Sequence, residues 1–84
     1  MEKLKDSIQK TIDLVNINGY DLLAIKPISA HPDDFYLTAV LVDRHEEYNP
    51  YVGWLCNTSG NPGFYYGHYF ESLKDAIKDF NERS

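Results

Sequence analysis

Cysteine is nearly absent from this sequence: Cys56 stands alone. A lone thiol can form neither an internal disulfide nor a multi-cysteine zinc site, so the fold cannot depend on either. Positive charge is also scarce. Eight Lys and Arg face 13 Asp and Glu, a net of −5, with an isoelectric point near 4.9. A phosphate-backbone binder needs a basic footprint, and an anionic membrane recruits lysines and arginines. Direct nucleic-acid binding and membrane docking are therefore not expected. No apolar run approaches the ~18 residues that span a bilayer, and the charged start Met1–Asp6 lacks the apolar core of a secretion signal. Together these absences predict a cytoplasmic protein in reducing surroundings. With 84 residues there is room for one core, so residues 1–84 are read as a single domain.

What the chain has is a globular share of hydrophobic residues, 43%, and a high share of aromatics, 14%, including seven tyrosines. Leu4, Ile8, Ile12 and Val15 recur at helical spacing, which predicts a helix over 2–18. Asn18-Gly19 supplies its stop, with Gly19 suited to the left-handed position and Tyr20 placed for an apolar contact behind it. Apolar runs at 20–28, 35–42, 51–57 and 64–70 read as strands, separated by the turn-rich 29–34, the charged 43–50 and the turn cluster 58–63. Helical spacing returns with Leu73, Ala76, Ile77 and Phe80, behind Ser72 as N-cap with Asp75 three residues on. The expected fold class is α+β: an N-terminal helix, a three- to four-stranded antiparallel meander and a C-terminal helix. Both helices are expected on one sheet face.

If one face is covered, the other is open. Strand alternation assigns Phe35, Leu37, Ala39 and Leu41 to the helices, with Tyr36, Thr38, Val40 and Val42 outward. In the same way Val52, Trp54 and Cys56 point inward, as do Phe64, Tyr66, His68 and Phe70. The open face would then display Tyr36, Val40, Tyr51, Leu55, Tyr65 and Tyr69. Two readings follow: a contact platform for a partner or flat ligand, or tyrosines that brace the sheet over its glycines. Charge adds a second feature. Residues 31–60 hold five acids, Asp33, Asp34, Asp43, Glu46 and Glu47, against Arg44 alone. An acidic surface beside exposed aromatics suits a protein partner with a basic groove.

Candidate chemistry is thin. His68, within the aromatic stretch 65–70, could do acid–base work near neutral pH or, with Tyr66, touch a ligand; a structural role bonded to backbone or hydroxyl is the plainer reading. Cys56 could act with His68 or His45, or be a small buried hydrophobe. The clusters His31/Asp33/Asp34 and His45/Glu46/Glu47 match no metal-site spacing. No catalytic residue, metal or cofactor is assigned.

The helix–strands–helix order resembles the double-stranded-RNA-binding domain in topology. That family grips phosphates through a lysine-rich start to its last helix, where this chain has Glu71-Ser72-Leu73-Lys74-Asp75-Ala76, so RNA binding by that route is rejected. The stretch Gly63-Phe64-Tyr65-Tyr66-Gly67-His68-Tyr69-Phe70, with the helix ending Asp79-Phe80-Asn81-Glu82-Arg83, resembles small acidic α+β proteins encoded by phages and prophages. The resemblance implies a non-enzymatic interaction protein that inhibits a host defence protein by direct binding. The partner contacts would be Tyr36, Tyr51, Leu55, Tyr65, Tyr69, Asp43, Glu46 and Glu47, and a homodimer is a further possibility for the same face. The alternative is a small-ligand sponge in which the aromatic face stacks on a nucleobase.

Overall fold

A computed structural model describes the backbone of residues 2–30, 36–57 and 63–83, and side chains of 8–28, 38–57 and 63–83. The expected cluster His31/Asp33/Asp34 and the side chain of Tyr36 lie outside the described residues. The elements run α1 (Glu2–Ile17), β1 (Asp21–Ala30), β2 (Tyr36–Asp43), β3 (Tyr51–Asn57), β4 (Gly63–Phe70) and α2 (Leu73–Glu82). The strands form one antiparallel sheet in the order β1-β2-β3-β4. The α+β class, the element order and the meander are those the sequence predicts.

Helix α1 ends as its sequence dictates. Gly19 takes φ 78°, a region that costs glycine nothing. The Tyr20 N–H then donates to the Val15 carbonyl (3.2 Å) and the Gly19 N–H to that of Asn16 (3.0 Å), the paired bonds of a Schellman motif. Tyr20 packs on the core beneath Val15. At α2, the Ser72 hydroxyl accepts from the Asp75 N–H (3.4 Å), satisfying one donor of the first turn.

The two helices lie on opposite faces of the sheet, which corrects the expectation that they share one. Val15 of α1 packs with Val40, Val42, Val52 and Trp54. Ala76 and Phe80 of α2 pack with Ala39 and Leu41, flanked by Tyr51, Leu55 and Phe70. Residues 39 and 40 of one strand point to opposite sides, so the molecule has three layers. The physical reason is composition. Ala39, Val40, Leu41 and Val42 are all 0–2% exposed; a strand apolar at every position must be covered twice. Thr38, read as a marker of solvent, is fully buried beside Thr11 and Cys56 under α1.

Strand β4 also departs from simple alternation. Gly53 pairs with His68 but Leu55 pairs with Tyr65, so β4 carries one residue more than β3 at this point. Tyr66, at φ 56°, is where the chain bulges. The bulge puts Phe64 and Tyr69 on the α1 face and Tyr65, His68 and Phe70 on the α2 face. Trp54 fills the α1 face there: Phe64 stacks on it (4.7 Å, 13°), Tyr69 meets it edge-on (6.4 Å, 90°) and Tyr20 closes a third side (5.6 Å). Gly67 crosses directly over the indole. A Cβ there would lie 2.6 Å from Trp54 Nε1, so no side chain fits. Among the described residues no helix is long and apolar enough to cross a membrane.

Candidate functional site

The loop joining β2 to β3, residues 44–50, is held in one shape by contacts at its base. Its ends close through the Arg44 N–H and the Pro50 carbonyl (2.8 Å). Asp43 Oδ1 accepts from the His45 N–H (2.8 Å), a short side-chain turn of the kind aspartate favours. His45 Nε2 reaches Asp21 Oδ2 on β1 (2.9 Å), and the Asn49 N–H donates to Glu71 Oε1 beyond β4 (2.9 Å). Arg44 donates from Nη2 to the Asn49 carbonyl (2.8 Å) and lays its guanidinium over the Tyr69 ring, 5.0 Å from the centroid. His45 and Asn49 take left-handed backbone at φ 59° and 47°, which these residue types tolerate.

Those contacts turn the one arginine inward and leave Glu46, Glu47 and Tyr48 pointing out. All three are exposed, Tyr48 by 72%. With Asp21, Asp43 and Glu71 around the base, this end of the sheet is a negative surface crowned by one aromatic ring. Such a surface can steer a cationic partner and place a large, partly apolar side chain into a cleft.

The expected contact residues divide among three places. Asp43, Glu46, Glu47 and Tyr69 come together at this loop. Tyr51 and Leu55 are half-buried beside Ala76 and Phe80, so they brace α2. Tyr65 is partly exposed on the α2 face and its ring covers Gly63. No open aromatic face is formed by Tyr51, Leu55, Tyr65 and Tyr69, because Tyr69 is on the other side of the sheet. Tyr48 sits in a charged segment that reads as a plain loop; its signal in the sequence is a tyrosine placed between Glu46-Glu47 and the turn residues Asn49-Pro50.

His68 has a structural partner. Its Nδ1–H donates to the Asp79 carboxylate, 3.0 Å from each oxygen. Arg83 extends the network: Nε lies 3.5 Å from Asp79 Oδ2, while Nη2 donates to the carbonyls of Gly53 (3.0 Å) and Tyr66 (2.8 Å). The trio ties the end of α2 to the β4 bulge. Tyr66 itself is 78% exposed. Cys56 is fully buried on the α1 face, and burial pushes its thiol above its ordinary range, partly offset by a hydrogen bond with Thr11. Cys56 and His68 lie on opposite sheet faces, and His45 sits in the loop at the other end of β2, bonded to Asp21, so neither conceivable Cys–His pair forms. Among the described residues no three His, Cys, Asp or Glu side chains are arranged to hold a metal ion.

No family model, no curated protein and no solved structure matches this chain.

Proposed function

We propose that this chain is a non-enzymatic binding protein whose partner is another protein carrying a basic cleft, and that loop 44–50 enters it. The observation behind this reading is Tyr48, exposed directly after Glu46 and Glu47 on a loop anchored to β1, to Tyr69 and to Glu71. A loop already fixed loses little conformational freedom on binding, so more of the contact energy appears as affinity. The resemblance of residues 63–83 to phage-encoded proteins gives the partner a direction: a host protein, foremost one of a defence system, blocked by occupancy of its basic cleft. The ligand-sponge alternative has less support, since Tyr51 and Tyr69 do not share a face.

The test is a photo-crosslinking amino acid at position 48, with the same group at Asp13 on the exposed side of α1 as control. The expected result is one protein adduct from position 48, absent from position 13 and diminished by salt. Glu46→Gln with Glu47→Gln should slow association of that purified partner while changing dissociation little. Identical adducts from both positions, or none from position 48, would refute the reading.

A further inference from the structure

A second feature, independent of the loop, lies on the α2 face. Helix α2 packs mainly over β2, β3 and β4 and meets β1 only along its margin. That leaves a groove of about 410 Å³, within the range of ligand sites. Leu41 and Phe80, both buried, form its floor, with Ala24 beside them; Leu23, Leu73 and Ile77 rise as its walls and are 45%, 39% and 44% exposed. The register shift between Leu22 and Ala24 creates the β1 side: it sends Leu22 to the α1 core and Ala24 to the groove, with Leu23 between them.

One end of this apolar trough carries a cation. Lys26 pairs with Ala39, so it stands on the same face as Ala24. Its Nζ lies 4.9 Å above the Phe80 ring and 3.4 Å from the Asn81 carbonyl oxygen. An ammonium has three donors, and this contact occupies one. At about 100° per residue, Asp75, Asp79 and Glu82 fall on the flank of α2 away from the groove, Lys74 beside Ile77 and Lys78 on the crest. In a protein of net charge −5, the groove is therefore apolar within and cationic at its Lys26 end, with the acids Asp21 and Asp43 beyond Leu23 and Leu41 at the other end.

We infer that this groove binds a medium-chain carboxylate, with the alkyl chain along Leu41, Ile77 and Phe80 and the carboxylate on Lys26 Nζ. From Leu73 to Asn81 the helix rises about 12 Å, close to the extended length of decanoate. A neutral apolar occupant would fill the trough but leave the ammonium without a counter-charge; a cationic amphiphile would be repelled by it.

The experiment titrates the purified chain with octanoate, decanoate, decanol and decyltrimethylammonium below their micelle thresholds, followed by calorimetry and backbone amide shifts. Decanoate should bind saturably, one per chain, moving the amides of Leu23, Lys26, Ile77 and Asn81 but not those of Val52 or Cys56 across the sheet. Each buried methylene should tighten binding about threefold to fourfold, so decanoate should exceed octanoate by roughly tenfold. Lys26→Met, which keeps the stem, should weaken decanoate by about fivefold or more and leave decanol unchanged. Ile77→Glu should abolish binding of both. Several outcomes overturn the inference: no saturation by decanoate, equal affinity of the wild type for decanol and decanoate, or an indifferent Lys26→Met. A dimer in sedimentation that Ile77→Glu dissociates would also overturn it, giving the groove to a second copy.

Discussion

The two faces of the sheet are covered by one helix each, yet they end up as different kinds of surface. Under α1, Val15, Val40, Val42, Val52 and Cys56 are fully buried, and Tyr20, Phe64 and Tyr69 close over Trp54 where the helix does not reach. Under α2, the sealed part is smaller, and Leu23, Leu73 and Ile77 remain in partial contact with solvent. The difference arises from what lies beside each helix. Aromatic rings are broad enough to finish the α1 face; on the α2 face the space next to the helix is bordered by aliphatic side chains that leave a trough. The first face makes the fold, and the second makes the fold and keeps apolar surface in reserve.

The strongest way to break this contrast is at the floor of the α2 face. Phe80→Ala should cost about 3–5 kcal/mol, because Phe80 is 6% exposed and its removal leaves a cavity between helix and sheet. For a domain this small that approaches the whole of the stability. A melting temperature equal to wild type would show that α2 is not part of the core.

An intermediate effect tests how dry the α1 face is. The unfolded thiol of Cys56 ionises near its ordinary value of 9.0, and burial delays ionisation in the folded state. Between those two values the unfolded chain has released a proton that the folded chain keeps. Stability should therefore fall as pH rises above about 9, by up to ~1.4 kcal/mol per unit, an effect absent at neutral pH. Urea midpoints of wild type and Cys56→Ala should diverge over this range in that direction; parallel curves would mean that water reaches the thiol.

The smallest effect sharpens the contrast most. Ile77→Ser, on the same helix as Phe80, should change stability by no more than about 0.5 kcal/mol, as expected for a solvent-facing position. A loss as large as that of Phe80→Ala would show that the groove wall is core after all.

Elements were legible in the sequence because each has a local signature: the helical spacing of Leu4, Ile8, Ile12 and Val15, the Asn18-Gly19 stop, the Ser72 cap. Facing was not. Alternation alone divides each strand into one wet and one dry side and puts Tyr36 and Thr38 on the wet one. The unbroken apolar run from Ala39 to Val42 was the better guide, since it is what a strand covered on both sides looks like. Tyr65 and Tyr69, four positions apart, fall on one face by alternation; the extra residue at Tyr66 exchanges the faces, and nothing in the local sequence except Gly67 marks it. The grouping of Asp43, Glu46 and Glu47 at one loop is legible through charge counting alone, which needs no geometry. Leu23, Leu73 and Ile77 were missed as a site because an apolar stripe is by default assigned to the core.

The irregularities in the two outer strands have a consequence for how the protein behaves when crowded. A regular outer strand offers a row of backbone donors and acceptors on which another chain can continue the sheet, the first step toward fibrils. Here β1 breaks register between Leu22 and Ala24 and again between Pro27 and Ser29. Pro27 lacks an N–H altogether. On the far side, β4 is interrupted at Tyr66, whose carbonyl is taken by Arg83. Neither margin can serve as a template along its full length. The stretch of regular edge that each margin offers to another sheet is correspondingly short.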